Sequence, residues 1–196
     1  NLERMQEKII GRLNAIVQEF VDDYGIDPKT IKEAVAVGNT TMSHLLLAVD
    51  PKSLALAPFS PGFTGPVTVK AKELGIGICE DARVNLLPNI AGHVGSDIVA
   101  VLLASGIDKM KGASLAIDIG TNGEILLAQS GRVLTCSTAA GPAFEGASIQ
   151  QGMRAATGAI ESVNIHNDQV EISVIGDTEP VGICGSGLID CVAELL

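Results

Sequence analysis

Residues 114–128 read Ser-Leu-Ala-Ile-Asp-Ile-Gly-Thr-Asn-Gly-Glu-Ile-Leu-Leu-Ala. Leu115 to Ile119 are apolar except for Asp118, the pattern of a fully buried strand. Asn122-Gly123 is a preferred dipeptide for a two-residue hairpin turn, because both positions tolerate positive φ. Glu124 to Ala128 read as the returning strand. The prediction is a strand–turn–strand with an acid near the end of the first strand and a tip of Gly120, Thr121, Asn122 and Gly123. Two glycines let the backbone approach a ligand closely. Exposed amides and the Thr121 hydroxyl can donate to phosphate oxygens. Asp118 is a hard oxygen ligand suited to Mg²⁺, directly or through water. The same residues also fit a purely structural turn, since Asn-Gly hairpins are common and Asp before a turn often bonds local amides.

Outward from this stretch the chain alternates helices and strands. Leu2, Met5, Ile9, Leu13, Ile16, Val17 and Phe20 recur at helical spacing, an amphipathic helix of about five to six turns ended at Tyr24-Gly25. Asp27-Pro28 restarts a short helix. Ala34 to Val37 is a strand, Gly38-Asn39-Thr40 turns into a helix over Met42 to Ala48, and residues 58–66 form an irregular loop. Val67 to Val69 and Arg83 to Leu87 are further strands, followed by a helix from Gly95 to Ala104. Val133 to Cys136 is a strand beside the hairpin, Pro142 starts a helix, and Ala159 to Ile165 with Gln169 to Ile175 form a second hairpin around His166-Asn167-Asp168. Gly185 or Ser186 caps the last helix. The alternation predicts an α/β fold with mixed sheets. A boundary is expected near 106–113.

The chain has 196 residues, 46% hydrophobic but only 3% aromatic, so the core is aliphatic. A net charge of −10 repels a polyanion and argues against nucleic acid as a partner. No apolar run of the roughly 18 residues that a membrane helix needs is present, and no membrane partner is expected. Cys79, Cys136, Cys184 and Cys191 match neither zinc nor ferredoxin spacing and are read as packed, reduced thiols. The chain begins at Asn1 and closes within an apparent helix, Ala193-Glu194-Leu195-Leu196, and is read as an internal piece of a longer protein.

Other candidates stand at helix starts. Gly38, Asn39 and Thr40 could present amides to an anion, or Asn39 or Thr40 could be a plain N-cap. Asp97, in a first helical turn, could hold Mg²⁺ or a nucleophilic water, or only favour the helix dipole. His93 could be a base, a ligand or a turn residue. Gly141, Glu145, Gly185 and Ser186 could cradle phosphate or allow close packing. Neither a P-loop nor a dinucleotide-binding fingerprint is present.

Asp118-Ile-Gly-Thr-Asn-Gly-Glu124 resembles a phosphate motif of the superfamily of acetate and sugar kinases, heat-shock ATPases and actin. Val37-Gly-Asn-Thr-Thr-Met42, Leu87-Pro-Asn-Ile-Ala-Gly-His-Val-Gly95, the Asp118 hairpin, Ser137-Thr-Ala-Ala-Gly-Pro-Ala-Phe-Glu-Gly146 and Gly182-Ile-Cys-Gly-Ser-Gly-Leu-Ile-Asp190 follow in that order. Together they resemble the ATPase domain of the reductive activators of corrinoid proteins, over nearly the whole chain. The resemblance implies an actin/hexokinase-like (RNase H-like) fold of two lobes, with residues 1–108 the latter part of the first and 112–196 the opening of the second. It implies a cytoplasmic, ATP- and Mg²⁺-dependent activator that returns a cobalt(II) corrinoid to cobalt(I). The implied partner is the corrinoid protein of a methyl-transfer system, with a [2Fe–2S] cluster in a separate N-terminal domain, and a homo-oligomer is expected. Asp118, Glu124 and Asp97 become candidate catalytic residues, Asp118 the Mg²⁺ ligand through water. Gly120, Thr121, Asn122, Gly123, Gly38, Asn39, Thr40, Gly141, Glu145, Gly185 and Ser186 become candidate nucleotide contacts. The piece alone is expected to be inactive.

Three alternatives stay open. Activators of 2-hydroxyacyl-CoA dehydratases or benzoyl-CoA reductases carry a bridging [4Fe–4S] cluster on a Cys-Ala-Ala-Gly segment. Here Thr138 replaces that Cys, with Cys136 two residues earlier. A small-molecule kinase would need a general base that no residue identifies. A non-catalytic docking module would bind nucleotide without turnover.

Overall fold

A computed structural model describes residues 1–139, 141–142, 149–167 and 169–196. Contacts divide the chain into two compact units: Asn1–Ala116 with Leu126–Cys136, and Ile117–Ile125 with Ser137–Leu196.

In the first unit, α1 (Leu2–Tyr24) ends where Gly25 adopts φ 64 and its amide bonds Val21 O at 2.9 Å. Strands β1 (Glu33–Ala36), β2 (Val67–Lys70) and β3 (Arg83–Leu86) form a sheet of order β1-β3-β2. The β1–β3 pair is parallel, with Ala36 opposite Leu86, and the β2–β3 pair is antiparallel, with Val67 opposite Leu86. Between them come α2 (Thr40–Leu46) and the short α3 (Ala71–Leu74). The core joins Ile10 of α1 to Leu46, Ala71, Ile78, Ala82, Val84 and Leu86, and of the predicted stripe Ile9, Leu13 and Val17 pack against it while Met5 and Phe20 are 48% and 49% exposed. Asp27 caps the predicted helical turn at Pro28–Thr30 by accepting from Lys29 N at 2.9 Å.

Helix α4 (Ser96–Ser105) follows, stopped by Gly106 at φ 59. Strands β4 (Ser114–Ile119), β5 (Asn122–Gln129) and β6 (Arg132–Ala139) form a sheet of order β4-β5-β6. Val94, Ile98 and Leu126 make a second, smaller core with Ala116 and Val133.

Two expectations for this sheet fail. First, β4 is not fully buried: Leu115, Ile117 and Ile119 are 58%, 56% and 68% exposed. They alternate along one face of an edge strand, while Ala116 on the other face packs into the core. Second, Asn122-Gly123 is not the turn. Strand β5 already begins at Asn122, so the loop is Gly120-Thr121, and none of these four residues has positive φ. The mirror-image turn falls instead between β5 and β6, where Ser130 and Gly131 have φ 51 and 74.

In the second unit, β7 (Ala159–His166) pairs antiparallel with β8 (Gln169–Val174) and parallel with the short β9 (Gly182–Ile183), giving the order β8-β7-β9. Helix α5 (Gly185–Leu195) lies against β7. Beyond the reach of β9, α5 takes the place of a neighbouring strand. Asp190 Oδ2 accepts from Val163 N at 3.3 Å and Glu194 Oε2 from Ile165 N at 2.8 Å. The N-cap of α5 is Cys184, one residue before the predicted position. The helix expected from Pro142 and the turn residue Asp168 lie outside the described residues. Among the described residues no helix is long and apolar enough to cross a membrane.

Candidate functional site

Within the second unit the predicted phosphate tip and the Ser137 segment converge. Asp118 is exposed at the end of β4, and Glu124 lies three residues into β5. Ser137 Oγ of β6 donates to Glu124 Oε1 at 2.9 Å. Gly141 N donates to Thr121 O at 2.9 Å, fastening the residue after β6 to the hairpin loop. Gly120 N bonds Asn122 O at 3.2 Å, and Gly123 faces Thr138, whose Cγ2 would be 3.5 Å from a Cβ there. The arrangement therefore gathers Asp118, Gly120, Thr121, Asn122, Gly123, Glu124 and Gly141 in one place. Ser137 was missed as a site residue by sequence reasoning, although it opens a quoted segment. Its signal is strand pairing, which only the meander reveals. Glu145 lies outside the described residues.

These oxygen donors suit Mg²⁺ bound chiefly through phosphates and water. Among the described residues no group of three or more His, Cys, Asp or Glu could cage a metal. Asp118 would hold such an ion through water. Bound Mg²⁺ would neutralise charge on the transferred phosphoryl group.

Gly185 and Ser186 occupy a different position in that unit, at the start of α5. Cys184, 2% exposed, donates through Sγ to Ile160 O at 3.3 Å and lies 3.4 Å from Ser186 Oγ. Burial pushes its thiol up, but the Ser186 hydroxyl and the amides of Gly187 and Ser186 outweigh this, and the net direction is down.

Gly38, Asn39, Thr40 and Asp97 come together in the first unit. The Gly38 carbonyl accepts from Ser96 N at 3.0 Å and Asp97 N at 3.3 Å, so it satisfies the N-terminal amides of α4. Ser96 Oγ completes the lock, 3.1 Å from both Gly38 N and Gly38 O. Asn39 is the N-cap of α2, accepting from Met42 N at 2.9 Å, and Thr40, 1% exposed, donates to Ala91 O at 2.6 Å. Asp97 accepts from Ile98 N at 2.9 Å. Asn39 is exposed and Asp97 half-buried, while Gly38 and Thr40 are buried. His93 stacks at a tilt on Phe59, ring centroids 5.2 Å apart. A cavity of about 380 Å³ in this unit is lined by Ile9, Leu13, Val35, Met42, Leu46 and Leu86. Its apolar walls suit no polyanion.

Comparison with known proteins extends over the whole chain. The family model described as the C-terminal domain of RACo, the ASKHA domain, matches residues 112–196. The model described as the RACo middle region matches residues 1–110. The chain is 41% identical over 195 residues, its full length, to the corrinoid activation enzyme RamQ of Eubacterium limosum, of which it covers 32%. It is 34% identical over 180 residues, 81% of its length, to the [Co(II) methylated amine-specific corrinoid protein] reductase of Methanosarcina barkeri, of which it covers 33%. A solved structure titled reductive activator for corrinoid, iron-sulfur protein superposes with a TM-score of 0.87 at 40% identity, covering all of this chain and 31% of that one. The chain thus spans about a third of the length of the proteins it matches.

Proposed function

This chain belongs to the family of RACo-type reductive activators of corrinoid proteins, with an actin/hexokinase-like ASKHA fold, and from that premise we propose that the protein containing it drives reduction of a cobalt(II) corrinoid to cobalt(I) at the expense of ATP. The observation that carries this reading is identity of 41% across the whole chain to a corrinoid activation enzyme. The gathering of Asp118, Glu124 and the Gly120–Gly123 loop supports a nucleotide-phosphate site. Asp118 would hold hydrated Mg²⁺, the Gly123 amide with Thr121 and Asn122 would take phosphate oxygens, Gly120, whose own amide is bonded to Asn122 O, shapes the loop, and Glu124, fixed by Ser137, is the catalytic carboxylate. Residues 1–108 belong to one ATPase lobe and 112–196 to the other. The partner is a corrinoid protein of a methyl-transfer system. A [2Fe–2S] domain outside this chain supplies the electron. ATP shifts the equilibrium between docking states only through its differential affinity for them.

The test is anaerobic reconstitution of the intact protein with its cobalt(II) corrinoid protein and a low-potential reductant. Loss of the cobalt(II) electron-paramagnetic resonance signal should require ATP and Mg²⁺. Equal reduction without nucleotide would remove ATP from the proposal, and no reduction under any condition would remove the activator role.

A further inference from the structure

Strand β7 is paired unequally on its two sides. On one side β8 runs beside it from Ile160 to His166. On the other, β9 pairs with Ala159 and Ile160, and from Glu161 onward that edge is left to α5. Alternate residues of a strand turn their amides to opposite sides, and a row of outward amides and carbonyls is a template for a further strand. Two of these outward amides are accounted for here: Val163 N donates to Asp190 Oδ2 at 3.3 Å and Ile165 N to Glu194 Oε2 at 2.8 Å.

The helix presents a matching stripe. Gly187, Asp190 and Glu194 stand three and four residues apart, on one face of α5. Gly187 lies against the strand, where a Cβ would overlap the Ile160 carbonyl. Side-chain reach then grows from Gly to Asp to Glu as the contacts move from Ile160 to Val163 to Ile165. Past Cys191 every residue of α5 is exposed, so the hold on Ile165 is polar and not apolar packing.

We propose that α5 is a guard over a strand-addition edge on β7, held shut by Asp190 and Glu194, and that the uncovered edge pairs antiparallel with the same edge of a second copy. The occupant follows from the row itself. Residues 159–166 contain no Pro or Gly to blunt the edge. With Val163 on the two-fold axis, Glu161 of one copy falls opposite Ile165 of the other, so like charges do not meet. The carboxylates occupy the amides that such pairing needs.

The test replaces both guards at once, Asp190→Ala with Glu194→Ala, in the intact protein. The two side chains are half-buried and exposed, so their loss leaves no sizeable cavity. Hydrogen–deuterium exchange in peptides spanning 161–165 should quicken at least about tenfold, the factor set by losing one charge-assisted hydrogen bond. Sedimentation velocity should show association beyond that of the unmodified protein, rising with concentration. Adding Ile165→Pro removes an edge amide and should abolish that extra association while exchange stays fast. Unchanged exchange in the alanine variant would overturn the guard. Faster exchange without extra association would overturn the strand-addition edge, and association that survives Ile165→Pro would place it on another surface and overturn it as well.

Discussion

Ser137 Oγ of β6 donates to Glu124 Oε1 of the neighbouring β5 at 2.9 Å. A carboxylate held by a hydroxyl has one oxygen fixed and keeps its orientation on a partly exposed surface. Glu124→Gln in the intact protein should therefore lower ATP turnover by about 100-fold or more. Ser137→Ala should lower it by roughly tenfold, because it frees the carboxylate but leaves it in place. Both variants should melt near the parent. Full turnover in Glu124→Gln would take Glu124 out of the chemistry, and full turnover in Ser137→Ala alone would take Ser137 out of its positioning role.

Asp118→Asn should reduce Mg²⁺·ATP turnover while leaving the fold intact. The side chain is exposed at the end of β4, so its removal leaves no buried group without a partner. Hydrated Mg²⁺ needs the carboxylate charge, which the amide lacks. Turnover against Mg²⁺ concentration should show a raised requirement for the ion. An unchanged curve would exclude Asp118 as a ligand.

Most strands and helices were legible because hydrophobic period and cap residues act over a few positions. The stripe of α1, the Asp27 cap and the stop at Gly25 are of this kind. Strand burial was not legible, since it depends on the sheet's neighbours. Leu115, Ile117 and Ile119 read as core yet line the open face of an edge strand. The turn was misplaced for a similar reason. Asn122-Gly123 has the chemistry of a mirror-image turn, but the pairing of β4 with β5 sets the loop two residues earlier, and Ser130-Gly131 uses that turn instead. At the site, the cluster around Asp118 was readable as a contiguous motif. The Ser137–Glu124 and Thr121–Gly141 links were not, being 13 and 20 residues apart in sequence. Conversely, Thr40 looked available to a ligand and is in fact buried on Ala91 O.

Asp81 gives a pH dependence with a defined sign. The hydrogen bond from Lys70, then that from Lys72, hold its carboxyl below the ordinary carboxylate range. A group whose folded pKa is depressed stabilises the fold above its unfolded pKa, about 3.9, and loses that stabilisation as pH falls through the lower, folded value. Lys70 is raised by the same contact, so its share is present below its unfolded pKa and lost in strong alkali. Asp81→Asn should therefore flatten the acid limb of stability below about pH 4. The effect should shrink in high salt, since the pair is solvent-exposed. Superimposable acid limbs for the two proteins would show that the pair contributes nothing.

Gly95→Ala should destabilise the first unit severely, and the reason is space, not backbone conformation. Gly95 has φ −92 and ψ −168, an extended conformation open to any residue. A Cβ there would overlap Asn39 Cα and the Gly38 carbonyl oxygen, both main-chain atoms that cannot swing away. Accommodating the methyl would part α4 from the Gly38 carbonyl and break its bonds to Ser96 N and Asp97 N, leaving buried groups unpaired. The expected cost is about 3 kcal/mol or more, at the upper end for forcing a methyl into a packed site. Gly131 is the control. It has φ 74 in the turn between β5 and β6 and open space around it, so Gly131→Asn, which accepts positive φ, should cost less than about 1 kcal/mol. Denaturant unfolding of the two variants should separate them clearly. A Gly95→Ala protein as stable as Gly131→Asn would mean that the start of α4 is not locked onto Gly38 and Asn39.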